Sequence, residues 1–86
     1  MELRQLRYFQ KVAEMESITL AAKHFLIPQP AMSQTISRLE KELGTTLFDR
    51  KSGKLFLNEQ GKTFLAHVER MLQELDNGVA AVTEKN

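Results

Sequence analysis

The polar residues best suited to chemistry lie on one predicted helix. Ser33, Gln34 and Ser37 follow Gln29 and Pro30 at spacings that bring them to one helical face, which carries no large apolar group. A glutamine amide can bond twice to the N6/N7 edge of adenine, and a serine hydroxyl can bond to a phosphate or a base. The start of the helix also offers N–H groups and the positive end of its dipole to a phosphate. This face is typical of a DNA-reading helix, although an ordinary solvated helix face has a similar composition.

A short basic cluster follows this helix. Arg50, Lys51 and Lys54 surround Gly53, which suits a tight turn. The flanking runs, 47–50 and 54–57, predict two short strands and hence a β-hairpin. Beside a DNA-reading helix, such a hairpin would lay its basic side chains along the phosphate backbone or in a narrow minor groove.

The net charge of the chain conceals this cluster. The 86 residues include 12 Lys and Arg against 11 Asp and Glu, a net charge of +1, which on its own argues against nucleic-acid binding. Residues 1–57 hold nine basic and six acidic residues, whereas residues 58–86 hold three and five. The two parts therefore carry net charges of +3 and −2, and the local potential follows this distribution rather than the sum.

Enzymatic chemistry has little support in the sequence. His24 and His67 are the only histidines, and Glu40 and Glu42 point to different sides of one helix. The chain has no cysteine, and therefore no thiol nucleophile and no cysteine-ligated metal. We expect neither an enzyme nor a bound metal or cofactor in this chain.

The length and hydropathy pattern indicate one domain away from the membrane. Eighty-six residues suffice for a single small domain. No apolar run approaches 18 residues, and the charged N-terminus lacks the apolar segment of a signal peptide. We expect a cytoplasmic protein without a membrane partner.

Two helices are predicted before the DNA-reading one. Apolar residues at three- and four-residue steps indicate helices over residues 2–16 and 18–26. The hydroxyl of Ser17 or Thr19 would cap the second helix.

Two prolines separate this short helix from the next. Pro28 ends the second helix, and Pro30 suits the start of the third, over residues 29–43. Gly44 then suits its C-terminal cap. A short helix, a tight connection and a helix with a small polar face form a helix-turn-helix, to which the hairpin adds a wing.

A long helix from 58 to about 84 is predicted to follow, capped by Asn58. Its apolar residues step alternately by three and four, as in the seam of a coiled coil. We expect this seam to bind a second copy of the chain. Its members are Leu65, Val68, Leu72, Leu75, Val79 and Val82.

The ordered set of these motifs resembles the N-terminal DNA-binding domain of LysR-type transcriptional regulators. The resemblance covers essentially the whole chain at the family's own spacing. The motifs that carry it are Leu6-x-x-Phe9-x-x-Val12-Ala13, Ser17-Ile18-Thr19-x-Ala21-Ala22, Gln29-Pro30-Ala31-Met32-Ser33-x-x-Ile36-x-x-Leu39-Glu40-x-x-Leu43-Gly44, Leu47-Phe48-x-Arg50 and Leu55-x-Leu57-x-x-x-Gly61.

The resemblance implies which residues would contact DNA. Lys51 or Lys54 would replace a wing arginine that the family often has where this chain has Gly53. Ser37 stands where a basic residue is common, so its contact would be weaker or water-mediated. The implied DNA-binding residues are Arg4, Gln29, Pro30, Ser33, Gln34, Ser37, Arg38, Arg50, Lys51 and Lys54.

The resemblance also implies a mainly α-helical architecture. Residues 1–57 would form a winged helix-turn-helix, with three helices and a β-hairpin wing, and residues 58–86 a dimerising linker helix. An effector-binding domain, with a small-molecule effector, would belong to a longer protein of which this chain is a part. A homodimer would read a palindromic site in double-stranded DNA, and the longer protein could form a tetramer.

The expected function is therefore sequence-specific DNA binding in transcription regulation. Helix 29–43 would lie in the major groove, and the basic wing at 50–54 would flank it. The alternative is a helical module that dimerises and binds protein rather than DNA.

Overall fold

The computed structural model describes residues 1–83 and has the predicted mainly α-helical, winged helix-turn-helix fold. The last predicted residues of the long helix, near 84, and the end of the 58–86 segment lie outside the described residues. The elements in chain order are α1 (Leu3–Met15), α2 (Ile18–Phe25), α3 (Gln29–Leu43), β1 (Phe48–Lys51), β2 (Lys54–Leu57) and α4 (Glu59–Thr83).

Local capping sets the ends of the helices. Of the two candidate caps for α2, the Ser17 hydroxyl accepts a hydrogen bond from the Leu20 N–H at 3.0 Å. At the end of α3, Gly44 adopts the left-handed conformation, with φ 73°, which glycine tolerates without steric cost. Asn58 precedes α4 and accepts a hydrogen bond from the Gly61 N–H at 2.8 Å. The predicted elements therefore agree with the structure to within a residue or two.

The predicted end of α2 is the clearest local difference. The prediction extended this helix to Leu26, but Leu26 has φ 58° and its N–H bonds to the carbonyls of Ala22 and Lys23, so it terminates the helix. Its side chain is 91% exposed. An apolar, non-glycine residue thus occupies a backbone conformation that costs it about 1–2 kcal/mol.

We expect Leu26→Gly to raise the free energy of unfolding by about 1 kcal/mol, because glycine removes this strain and almost no buried surface is lost. Leu20→Gly is the matched control. Leu20 is also exposed but lies inside α2, where glycine should lower stability by about 1 kcal/mol. Urea denaturation followed by circular dichroism measures both, and equal destabilisation by the two changes would contradict the expectation.

The core joins all the elements through large apolar side chains. Phe9, Val12, Met32, Leu39 and Leu47 have essentially no exposed surface. The ring of Phe9 lies 5.7 Å from that of Phe48 and 5.4 Å from that of Phe64. Phe9 of α1 therefore packs against both the hairpin and α4.

The predicted dimer seam on α4 needs a correction. Val68 and Leu72 are each only 3% exposed in the single chain, and Leu65 packs against the same core. The assignment of Val68 and Leu72 to a partner-binding surface was wrong, because α4 packs along α1 over this stretch and buries them in its own domain. Leu75, Val79 and Val82 remain exposed.

The hairpin is closed by a two-residue turn, as predicted around Gly53. Lys51 pairs with Lys54 across the antiparallel ladder, and the intervening Ser52 and Gly53 have φ 51° and 74°. Two consecutive positive φ values define a type I′ turn, whose twist matches that of the strands. The two lysines are thereby held opposite each other at the tip of the wing.

Among residues 1–83, no helix combines the length and the hydrophobicity that crossing a membrane would require.

Candidate nucleic-acid interface

The outer face of α3 brings the predicted reading residues together in one shallow groove. Its opposite face is buried through Met32, Ile36 and Leu39, so the polar residues must point outward. Lys41, which is not among the predicted DNA-binding residues, extends the groove at the C-terminal end of α3. The residues lining this groove are Gln29, Pro30, Ser33, Gln34, Ser37, Arg38 and Lys41.

Arg4 and Arg38 both line a second cleft, which lies between α1 and α3. The Gln5 side chain ties the two helices by donating a hydrogen bond to the Thr35 carbonyl at 3.3 Å. Among the described residues, neither arginine has an acidic partner within 4.0 Å. Both guanidinium groups are therefore available to an anion.

Glu42 is the acidic residue at the end of this cleft. It accepts a hydrogen bond from the amino group of Met1 at 2.8 Å, which raises the pKa of that amino group. The contact directs the Glu42 carboxylate to Met1 rather than to Arg38.

The wing residues occupy different sides of the hairpin. Arg50 pairs with the buried Leu55 and lines a small cavity with Ser33, Ser37 and other residues of the helices. Because side chains alternate along a strand, Lys51 points to the opposite side from Arg50. The structure thus brings Arg50 next to the outer face of α3 and places Lys51 at the tip of the wing.

A third groove lies between the start of α2 and the hairpin. It is lined by Thr19, Leu20, Gln29, Arg50 and Lys54, among others. Neither Thr19, a candidate cap of α2, nor Leu20 is among the predicted DNA-binding residues. No signal within the local sequence indicates this groove, because α2 and the hairpin meet only through tertiary packing.

These surfaces form one exposed face with a basic character. Its cations, Arg4, Arg38, Lys41, Arg50 and Lys54, are all exposed, and serine, threonine and glutamine side chains lie between them. Two of its acidic groups are already engaged, Glu42 by Met1 and Glu40 by backbone N–H groups. Such a face can bind a polyanion by charge and can also form directional hydrogen bonds.

The described residues show no group of three or more histidine, aspartate or glutamate side chains arranged to hold a metal ion. His24 packs its ring edge-on against Phe25, at a centroid distance of 4.9 Å. The Nδ1 atom of His67 lies 3.0 Å from the Arg70 guanidinium. Both histidines thus have local partners on their own helices.

The chain is similar to known bacterial regulatory proteins. The model of the bacterial regulatory helix-turn-helix proteins of the lysR family matches residues 3–62. The HTH-type transcriptional regulator YybE of Bacillus subtilis is 47% identical over 78 residues, which are 91% of this chain and 27% of YybE. The transcriptional dual regulator GltC of the same organism is 44% identical over 84 residues, 98% of this chain and 28% of GltC.

A solved structure also resembles the fold closely. The crystal structure of the BenM DNA-binding domain with catB site 1 DNA superposes with a TM-score of 0.90 at 39% identity. The match covers 95% of this chain and 91% of that one. The present chain thus corresponds to a DNA-binding domain and spans little more than a quarter of the two regulators.

Proposed function

The chain belongs to the lysR family of bacterial regulatory helix-turn-helix proteins, and from this we propose that it is the sequence-specific DNA-binding part of a transcriptional regulator. The observation that carries the proposal is the continuous exposed face described above. It joins the polar side of α3 to Arg4 and Arg38 on one flank and to the basic wing on the other.

The recognition helix α3 supplies the base-reading groups. Gln34 is exposed on the groove-forming face, and Ser33 and Ser37 lie beside it. With α3 in the major groove, these short or planar side chains reach base edges without a large apolar group intervening. Pro30 and Gln29 lie at the first turn of α3, where the positive end of the helix dipole favours a nearby phosphate.

The flanking cations supply affinity. Arg4 and Arg38 contact the phosphate backbone of the DNA beside α3. Arg50, Lys51 and Lys54 contact the phosphate backbone or the minor groove beside the wing. The pairing of Lys51 with Lys54 supports this role, because like charges placed opposite each other are unfavourable in a hairpin unless an anion lies nearby. Phosphate contacts of this kind make binding salt-dependent.

The remaining features of the proposal concern the longer protein. A homodimer reads a palindromic site through two copies of α3, with Leu75, Val79 and Val82 at the dimer contact, and a tetramer is compatible with the longer protein. This part of the protein is not an enzyme and takes no cofactor. A small-molecule effector binds to a further domain, and the protein acts in the cytoplasm.

Gln34→Ala tests the reading role. We expect it to weaken binding to the preferred duplex by about 1–3 kcal/mol and to relax the base preference at one position. The preferred duplex is obtained by selecting a random 30-base-pair library with the unaltered chain, and fluorescence anisotropy measures affinity. Gln73→Ala on α4 removes the same amide far from α3 and should leave affinity unchanged.

The same selection separates the proposal from its alternative. A helical protein-interaction module would enrich no sequence from the library. Deletion of residues 50–54 would not change its binding to a protein partner. Enrichment of a common sequence followed by loss of base preference in Gln34→Ala supports DNA reading. If Gln34→Ala lowered the affinity for all duplexes alike, Gln34 would contact the phosphate backbone of the DNA instead of a base.

A further inference from the structure

Glu40 connects the recognition helix to the wing through its backbone and its side chain. The backbone carbonyl of Glu40 accepts hydrogen bonds from the N–H groups of Gly44 at 2.9 Å and Thr45 at 3.2 Å, closing the end of α3. Its carboxylate Oε2 accepts hydrogen bonds from the N–H of Leu47 at 2.6 Å and of Phe48 at 3.3 Å. One residue on the reading helix therefore holds both ends of the connection into β1.

The Leu47 N–H uses the Glu40 carboxylate as its acceptor. Leu47 is only 1% exposed, so water has little access to its N–H as a substitute acceptor. A buried N–H that loses its acceptor is costly, so the chain shifts to find another partner. The Leu47 carbonyl stays bonded to the Asn58 N–H at the start of α4, at 3.0 Å. Without the Glu40 carboxylate, the base of the hairpin should therefore keep its contact with α4 and move relative to α3.

The position of this base determines where the wing cations lie. β1 begins at Phe48, and Arg50 follows two residues later, facing the cavity that also contains Ser33, Ser37 and Glu40. The hairpin is a two-stranded unit with a tight turn, so a displacement at its base is transmitted to Lys51 and Lys54 at its tip. The distance between the reading face and the wing thus depends on the Glu40 contact.

We propose that Glu40 is a positioning residue for DNA binding: it fixes the wing relative to the recognition helix so that both engage one duplex at the same time. Glu40 need not contact the DNA, and its carboxylate is held by backbone N–H groups rather than by a cation. The inference rests on the proposed function and adds the coupling between the two DNA-contacting elements.

The experiment measures whether the contribution of Lys54 depends on Glu40. The probe is the fluorescein-labelled duplex selected by the unaltered chain, and anisotropy gives affinity over a range of salt concentrations. In the unaltered background, Lys54→Ala should weaken binding several-fold and reduce the slope of log affinity against log salt by about 1. In a Glu40→Ala background, Lys54→Ala should change neither quantity, because the wing is already displaced.

Two further variants separate positioning from folding. Glu40→Gln keeps an amide oxygen that can accept the same two hydrogen bonds, so it should restore the Lys54 effect. Glu40→Asp keeps the charge but is shorter by one methylene, so it should behave like Glu40→Ala. If circular dichroism shows that the alanine variant does not fold, Glu40→Asp takes its place. Lys11→Ala is the matched control, because Lys11 lies on α1 and pairs with Glu14; its effect should be small and the same in every background.

The outcomes distinguish this inference from the function on which it rests. If the unaltered chain enriches no sequence, the proposed function fails, and the positioning role fails with it. If the unaltered chain binds but the Glu40 and Lys54 effects simply add, only the positioning role is overturned. Failure of a folded Glu40→Gln variant to restore the Lys54 effect would overturn it as well, since a hydrogen-bond acceptor would then be insufficient.

Discussion

Replacing Gly61 by alanine should lower the free energy of unfolding by about 3 kcal/mol, the upper end of the usual cost of overpacking. A Cβ atom at this position would collide with the backbone carbonyl oxygen of Leu47 and lie 2.6 Å from Cδ1 of Leu57. The Leu47 oxygen cannot move freely, because it accepts the hydrogen bond from the Asn58 N–H. The first turn of α4 would therefore have to separate from the base of the hairpin.

The same substitution at Gly78 is the matched control. Gly78 lies in the same helix, and a Cβ atom there would meet nothing within 4 Å. Because alanine is favoured over glycine inside a helix, Gly78→Ala should raise the free energy of unfolding by about 1 kcal/mol. Urea denaturation at one fixed protein concentration measures both variants, since association would otherwise alter the apparent stability. Destabilisation of similar size at both positions would show that the close contact at Gly61 is not the cause.

The positions of the helices and the reading face could be predicted because their signals are local. The apolar steps of α3, with Pro30 at one end and Gly44 at the other, predict a helix and also which side of it is buried. Its polar side then follows without knowledge of the rest of the fold. For this reason Ser33, Gln34 and Ser37 lie together on one face of α3, as predicted, and the structure shows that this face forms a groove.

The role of Glu40 could not be predicted in the same way. The sequence predicts only that Glu40 and Glu42 point to different sides of one helix and form no catalytic pair. In the structure Glu40 binds backbone N–H groups seven and eight residues further along. Every residue except proline carries a backbone N–H, so the sequence does not identify such a partner. The groove containing Thr19 and Leu20 escaped prediction for a similar reason, because it forms where two separate elements meet.

The error on α4 has a geometric origin. The alternating steps of three and four predict one continuous apolar stripe, but they do not show what covers each part of it. At 1.5 Å per residue, the 25-residue α4 is about 38 Å long, whereas the 13-residue α1 is only about 20 Å. α1 can therefore cover only part of the stripe. The ion pair between Arg7 and Asp76, at 3.8 Å, lies near the point where the buried residues give way to the exposed ones.

Val79→Asp should abolish dimerisation and weaken binding to a palindromic duplex by about 100-fold or more. Val79 is 52% exposed in the single chain and lies between the exposed Leu75 and Val82 on one side of α4. A charge at the centre of an apolar contact must lose its hydration without gaining a partner. Two linked reading units bind a double site more tightly than one by about 10²–10⁴, and a monomer loses this advantage.

The expected loss is specific to the double site. Binding of the Val79→Asp variant to a duplex with one half-site should match that of the unaltered chain, because the charge lies far along α4 and the reading face is intact. Asn77→Asp is the control: it adds the same charge two residues away, on the opposite side of the helix, where Asn77 is exposed. Sedimentation gives the oligomeric state and anisotropy gives the affinity for each duplex. A Val79→Asp chain that remains dimeric would exclude the exposed part of the stripe as the dimer contact. Because Val68 and Leu72 are buried in the single chain and Leu65 packs against the same core, the contact would then have to lie outside the apolar stripe of α4.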